Sequence, residues 1–351
     1  MKLCDFDYNL PKELIAQSPT EPRDASRLMV LGKTIEHRYF SDILDYFERG
    51  DTLVLNDSRV VPAKLTGKKS TGGQVEALVI SKTDSGYECL IRGKNIREGT
   101  KLHFGEFDEP NKNISSFSTG SSKLDATVLE VIKNPNTNRY LVNFNCNGNL
   151  PDILEKIGDA PLPPYIKQKL GNRNRYQTVY SKERGSIAAP TAGLHFTNEL
   201  LEKIIEKGVN IAYVTLHVGL GTFTPVKAAN IEDHIMEPEY ISVSPESADI
   251  INETKGKLIA AGTTTVKALE SSCVDGKIMA NNGFSQLFIY PPYSFGSRID
   301  CMITNFHLPK STLLMLVSAF AGRERLMGAY SEAISHSYRF YSFGDAMLIF
   351  R

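Results

Sequence analysis

Residues 197–218 read Thr-Asn-Glu-Leu-Leu-Glu-Lys-Ile-Ile-Glu-Lys-Gly-Val-Asn-Ile-Ala-Tyr-Val-Thr-Leu-His-Val. Leu200, Leu201, Ile204 and Ile205 share one face of a helix over 198–207, with Thr197 placed to cap it and Gly208 to end it. A β-type run over 209–218 follows at once, so helix and strand alternate on a short connection. That alternation is the texture of an α/β sheet. It continues outward. A strand is predicted over 52–57. Ser244-Pro245-Glu246 opens a helix that closes at Gly256, and a strand over 257–261 runs into Gly262-Thr-Thr-Thr265 and a further helix. Strands are predicted over 286–290 and 301–306. Ser311 caps Thr312–Ala321, whose apolar character all round predicts burial, and Gly322 ends it.

Between 64 and 144 the texture changes. Short β-type runs over 75–80, 87–92, 126–132 and 139–144 are separated by Gly, Asn and Ser without helical period, which predicts a small barrel-like β unit. Ala160-Pro-Leu-Pro-Pro164 reads as a stiff re-entry linker. The expected architecture is a discontinuous α/β domain with a mixed sheet, 1–61 and 149–351, interrupted by an inserted β-barrel domain, 62–148. A chain of 351 residues fits two domains better than one, because single cores stop growing near ~250–300 residues.

Composition narrows the class. No stretch approaches the ~20 apolar residues that span a bilayer, and the first nine residues carry Asp5 and Asp7 rather than an apolar run, so a cytoplasmic protein with no membrane segment is expected. Cys4, Cys89, Cys146, Cys273 and Cys301 are scattered and form no C-x-x-C, so neither a disulfide framework nor a zinc site is expected. Net charge is zero, which excludes a global basic field. Locally, residues 59–101 hold nine basic and four acidic side chains and residues 159–185 hold six and two. These patches, with Lys68, Lys69, Arg173, Arg175 and Arg184, can bind phosphates such as those of an RNA backbone, or form a solvated surface.

Ligands of α/β sheets gather beyond the carboxyl ends of strands. Four polar loops have that position: Asn56-Asp-Ser-Arg59, His217-Val-Gly-Leu-Gly-Thr-Phe223, Gly262-Thr-Thr-Thr265 and Asn305-Phe-His-Leu-Pro-Lys-Ser-Thr312. A fifth block, Gly185-Ser-Ile-Ala-Ala-Pro-Thr-Ala-Gly-Leu-His-Phe-Thr197, sets small residues, Pro190, Thr191 and His195 before a helix. Gly219-x-Gly221 lacks the third glycine of a dinucleotide fingerprint, and Lys310-Ser311-Thr312 lacks the glycines of a P-loop. His195, His217, His234 and His307 fall in or near these loops without metal-ligand spacing, which points to acid–base or substrate-binding work and to no metal. Asp57 and Glu239 are the nearby carboxylates, each a base or a hydroxyl-binding group if not a cap or an ion pair.

These loops, with Phe6-Asp-Tyr-Asn-Leu-Pro11, Pro22-Arg-Asp-Ala-Ser-Arg27, Asn56-Asp-Ser-Arg-Val-Val-Pro-Ala63, Leu162-Pro-Pro-Tyr-Ile166, Arg175-Tyr-Gln-Thr-Val-Tyr180, Val214-Thr-Leu-His-Val-Gly219, Thr304-Asn-Phe-His-Leu-Pro-Lys-Ser-Thr312 and Ser342-Phe-Gly-Asp-Ala-Met347, closely resemble the S-adenosylmethionine:tRNA ribosyltransferase-isomerase family of queuosine biosynthesis. The resemblance runs nearly end to end. It implies an α/β domain carrying an inserted β-barrel. It implies transfer and isomerisation of the ribosyl part of S-adenosylmethionine onto a 7-aminomethyl-7-deazaguanine base at the tRNA wobble position, with release of adenine and methionine. S-adenosylmethionine is then a co-substrate, no resident cofactor is expected, and the partner is the anticodon region of tRNA, met by a monomer. Glu237 stands where the family pattern has a second His, and Leu220 replaces a smaller residue.

The implied chemistry distributes roles. His217 or Glu239 is the expected base at the carbon beside the sulfonium, with Asp57 a further candidate. His195 or His217 is the expected proton donor to the leaving adenine. Phe223 or Tyr240 would face the sulfonium. Arg59 and Lys310 would hold a carboxylate or phosphate, and Thr263, Thr264 and Thr265 a carboxylate or ribose hydroxyl. Thr191, Gly219, Gly221, Thr222, His234, Asn305 and His307 complete the expected substrate contacts. The rival readings are a non-catalytic RNA-binding module, a methyltransferase using the same co-substrate, and a transferase acting on a small molecule.

Overall fold

In the computed structural model, the described residues are 1–105, 123–133, 138–146, 148–168, 170–219, 221, 226 and 228–351. The first strands are β1 (Arg27–Leu31), β2 (Ile35–Tyr39), β3 (Thr52–Asn56) and β4 (Ser58–Val60). Then come β5 (Lys64–Lys69), β6 (Gln74–Thr83), β7 (Gly86–Arg92), β8 (Lys101–Phe104), β9 (Leu124–Ile132), β10 (Arg139–Asn145) and helix α1 (Leu150–Ile157). The chain continues through β11 (Glu183–Ser186), α2 (Asn198–Glu206), β12 (Asn210–Leu216), β13 (Glu239–Val243), α3 (Pro245–Asn252), β14 (Leu258–Ala261) and α4 (Thr263–Ser271). Last are β15 (Cys273–Val274), β16 (Lys277–Ile278), β17 (Asn281–Ser285), β18 (Cys301–Asn305), α5 (Thr312–Ala321), α6 (Arg323–Ser335) and β19 (Ala346–Phe350).

Nine of these strands form one mixed sheet in the order β17-β13-β12-β3-β14-β18-β19-β1-β2. The strands β12, β3, β14 and β18 run parallel; β13 and β19 run against them, as does β1, which is parallel to β19. Alternate residues of each central strand enter different cores. Val54, Ala260 and Met302 join one apolar cluster with residues of α3 to α6, while Leu53, Leu55, Ile259 and Ile303 join another with Phe40, Phe47 and Leu200, Leu201 and Ile204 of α2. A sheet buried on both faces needs apolar residues on both, so these strands read as continuous apolar runs. The expected caps form: Thr197 Oγ1 accepts from Leu200 N–H at 3.1 Å and Ser311 Oγ from Leu314 N–H at 3.2 Å. The α5 helix is buried as its composition predicts.

Antiparallel strands β10-β7-β6-β5-β8-β9 close a barrel. Its core includes Leu65, Val75, Ala77, Leu102, Phe104, Leu124, Ala126 and Val128. Gly67 lies where strands β5 and β8 touch: a Cβ there would stand 2.1 Å from the His103 carbonyl oxygen. The chain divides into a unit of Met1–Val60 with Pro163–Arg351 and a unit of Val61–Leu162. Residues 149–162, expected with the larger domain, fall with the barrel because Leu150 and Leu154 of α1 belong to its core.

One strand is misplaced by the sequence reading. Residues 286–290 are not a strand; β17 lies just before them and pairs antiparallel with β13. Leu287, Phe288 and Tyr290 pack against the main core without joining a ladder. A short apolar run such as Leu287–Tyr290 reports burial, and an extended segment meets that need without strand pairing.

Candidate active site

The four parallel strands end on one edge of the sheet, and the register aligns their ends: Asn56 opposes Val214, Ala261 opposes Leu55, and Asn305 opposes Ala346. Because β13, β19 and β1 run the other way, Glu239 and Arg27 begin their strands at that same edge, and Asp345 directly precedes β19 there. Polar residues distant in sequence are thereby gathered.

A cleft at this edge is lined by Thr191, Thr263, Thr264, Asn305 and His307, all expected substrate contacts, and by Ala188, Ala189, Pro190, Gly262, Thr304, Phe306, Tyr165, Tyr176, Tyr341 and Ser342. The 185–197 block forms one wall. Ile187 N–H donates to the Val218 carbonyl and Val218 N–H donates to Ser186 Oγ, which docks the block beside the end of β12. The amino end of α4 also lines it, beside that block: a Cβ at Gly262 would lie 3.7 Å from Ala192. Gly262 adopts φ +100 there and offers no capping side chain, so the first-turn N–H groups face the cleft uncapped. Thr264 Oγ1 is buried without a partner. Thr265 is turned away: fully buried, its Oγ1 donates back to the Ala261 carbonyl at 2.7 Å.

His195 is not placed to deliver a proton. Ser26 Oγ lies 2.7 Å from its Nδ1, Asn305 Nδ2 lies 3.1 Å from its Nε2, and Phe40 stacks on the ring. Burial, then Arg175, Arg23 and Arg339, push its pKa down to about 3, so the ring is neutral near pH 7. His307 is also buried and neutral, pushed to about 3 by burial, with Thr304 Oγ1 at 2.7 Å from Nε2.

His217 stands beside this cleft rather than in its lining. Its ring stacks on Tyr240, centroids 5.2 Å apart, and Nδ1 is buried with no partner among the described residues. Desolvation lowers its pKa, with Glu183 opposing, so the imidazole is biased to the neutral form. Gly185 makes room for the ring: a Cβ there would lie 2.6 Å from it. Next to it, Glu239 is buried; Oε1 accepts from Gly219 N–H at 3.0 Å, and Lys267 Nζ sits 2.8 Å from Oε2. Glu239 therefore holds the loop after β12 in place. Gly221 approaches Glu237, whose Cβ would lie 3.3 Å from a Cβ at that position.

Other expected residues lie elsewhere. Asp57 Oδ1 accepts from Thr215 Oγ1 at 2.7 Å, and burial raises its pKa. Arg59 reaches Ser181 Oγ at 3.4 Å. His234 packs edge-on against Phe288. Lys310 is half exposed and its Nζ pairs with Asp7 at 2.6 Å. Of these four, none lines the cleft. Thr222 and Phe223 lie outside the described residues, as does Leu220. Among the expected RNA contacts, Lys68 and Lys69 lie on β5, with Lys69 Nζ donating to the Lys94 carbonyl at 2.8 Å. Arg173 and Arg184 are exposed, whereas Arg175 is tied to Glu21 and to the Thr20 carbonyl, its side chain only 13% exposed. Arg175 thus staples the 20–21 segment rather than facing solvent.

Several buried polar residues and two cleft-lining tyrosines escaped sequence reading. Lys267 and Glu270 are buried on α4; Glu270 accepts from Tyr293 OH and from the N–H groups of Gly296 and Ser297. Their signal was a charged residue at each of two positions in an otherwise small or apolar helix. Ser26 and Tyr165 stood inside the Pro22–Arg27 and Leu162–Ile166 blocks without being singled out, and Tyr341 carried no signal. His37, Glu332 and His336 bring three possible ligand atoms within 4.8 Å of one another at the surface, away from the cleft lining.

Residues 3–349 match the family model described as queuosine biosynthesis protein. The crystal structure of S-adenosylmethionine tRNA ribosyltransferase from Thermotoga maritima is similar at 39% identity, with a TM-score of 0.53, covering 98% of this chain and 99% of that one. A mixed sheet with an embedded closed barrel, a strand-end cleft and a family match over almost the whole length lead to one statement: this chain belongs to the queuosine biosynthesis protein family.

Proposed function

We propose that this protein transfers and isomerises the ribosyl part of S-adenosylmethionine onto 7-aminomethyl-7-deazaguanine at the wobble position of tRNA, releasing adenine and methionine. The observation that carries this reading is the cleft at the shared strand edge. It combines an uncapped helix N-terminus, buried hydroxyl and amide groups without partners, and small apolar walls. That mixture suits a ligand that is part nucleoside and part amino acid.

The first chemical demand is removal of a proton from the carbon beside the sulfonium. His217 meets it better than Glu239. A neutral imidazole with an unpartnered Nδ1 can accept a proton, while both Glu239 oxygens are engaged by Gly219 and Lys267. The π face of Tyr240, stacked on His217, is a favourable neighbour for a sulfonium. The buried, neutral His307, in the cleft lining, would orient substrate rather than exchange protons with it, and His195, held by Ser26 and Asn305, would act on substrate only through Asn305. On this reading the protein works as a monomer in the cytoplasm and grips the anticodon arm through exposed basic residues that include Arg173 and Arg184.

The test is product analysis. Purified protein is incubated with S-adenosylmethionine, with and without tRNA carrying the 7-aminomethyl-7-deazaguanine base. Tandem appearance of adenine and methionine, dependent on that tRNA, is expected. S-adenosylhomocysteine would indicate methyl transfer instead, and turnover without tRNA would indicate a small-molecule acceptor.

A further inference from the structure

Asn305 sits at the end of β18, 2% exposed, and lines the cleft. Its side-chain nitrogen lies 3.2 Å from the Tyr341 carbonyl oxygen and 3.1 Å from His195 Nε2. A carbonyl can only accept, so the atom facing Tyr341 is the amide nitrogen. The second amide hydrogen goes to His195 Nε2, which must then be an acceptor. His195 Nδ1 therefore carries the ring proton and donates to Ser26 Oγ at 2.7 Å, and Ser26 Oγ donates to the Arg23 carbonyl at 3.2 Å. Every donor in this chain points one way. Both amide hydrogens of Asn305 are consumed within the protein, and its Oδ1, buried and without a partner, is left as a pure acceptor.

The first-turn N–H groups of α4 belong to the same cleft, and the two features are close: β14 pairs with β18, and Gly262 N–H donates to the Ile303 carbonyl at 2.7 Å, two residues before Asn305. No Asp, Glu, Lys or Arg side chain lines the cleft among the described residues. The site thus offers a partial positive charge and, near it, a fixed acceptor, with no fully charged side chain in its lining among the described residues. A zwitterion with adjacent carboxylate and ammonium matches that pattern.

We propose that the cleft holds the α-amino-acid end of S-adenosylmethionine, its carboxylate at the amino end of α4 and its ammonium on Asn305 Oδ1, with Ser26 and His195 as positioning residues that fix the Asn305 amide. This assignment rests on the reading of S-adenosylmethionine as substrate. Ala188, Ala189 and Phe306 then line the path of the methylene groups. The depressed pKa of His195 serves the same end, since a protonated ring would turn an N–H toward the amide hydrogens and break the chain.

The experiment compares S-adenosylmethionine with its desamino and decarboxylated analogues, by calorimetric binding to the wild-type protein and to Asn305→Ala. Each analogue is expected to bind wild type about 10-fold or more weakly. Asn305→Ala should weaken S-adenosylmethionine by a similar factor yet leave the desamino analogue nearly unaffected, because each change removes the same contact. His195→Ala should raise KM for S-adenosylmethionine more than it lowers kcat. His195→Gln, whose amide can accept from Asn305 and donate to Ser26, should restore much of the loss. If the desamino analogue binds wild type as well as the parent, or Asn305→Ala weakens both equally, the subsite assignment is wrong. Failure of S-adenosylmethionine to bind at all would overturn the functional reading instead. The wild-type comparison needs no variant, so it stands even if Asn305→Ala does not fold.

Discussion

Lys267 Nζ lies 2.8 Å from Glu239 Oε2, with both side chains only 8% exposed. The pair joins the first residue of β13 to the second turn of α4, and Glu239 passes the restraint on by accepting from Gly219 N–H. A buried pair of this kind is costly to break from one side, because the remaining charge is left desolvated.

Lys267→Met should therefore destabilise the fold by about 3–5 kcal/mol. Adding Glu239→Gln should recover part of that loss. Denaturant unfolding of the two single variants and the double variant gives the answer; additive losses would mean that the two groups do not interact.

Gly185→Ala places a Cβ against the His217 ring in a backbone region, φ +148, that side chains rarely adopt. The ring must move. Adenine release is expected to fall about as far as in His217→Gln, by ~10²-fold or more if His217 acts as the base. Normal turnover in His217→Gln would remove it from the chemistry.

The histidines predict an acid-sensitive fold. His195 and His307 have folded-state pKa values of about 3, below the ordinary histidine value of 6.5. Between those values the unfolded chain binds protons that the folded one does not, so stability rises with pH. It is complete above about pH 6.5 and is lost progressively toward pH 3, each group contributing a slope of up to about 1.4 kcal/mol per pH unit. Urea midpoints at pH 7, 6 and 5 should fall in the wild type, and His195→Gln should show a shallower decline. Equal slopes would deny His195 its part in this linkage.

Affinity for tRNA should decline as salt rises, since phosphate contacts release counterions. Arg173→Ala with Arg184→Ala is expected to lower the log–log salt slope by ~1–2 while leaving S-adenosylmethionine binding unchanged. An affinity that is flat across salt would argue against a backbone grip.

The helices were legible because their signals are local. Thr197, Gly208, Ser311 and Gly322 mark ends that hydrogen-bond within a few residues, and the structure uses them so. The barrel was legible from its change of period. Edge assignments were harder: β17 and the run after it compete for one neighbour, and only pairing with β13 chooses between them. Among site residues, Asn305, His307, Thr263 and Thr264 were found by their place after strands. His195 had the same local appearance and a different occupation, since Ser26 and Asn305 reach it from distant stretches of chain.

The linear chain by itself determined the alternation of helix and strand, the barrel insertion and the loops from which the cleft is built, because hydrophobic period and capping chemistry act over a few residues. Tertiary structure alone decided which polar atoms keep a free valence. Whether an imidazole or an amide is saturated depends on partners more than a hundred positions away, and on how completely the surrounding core excludes water.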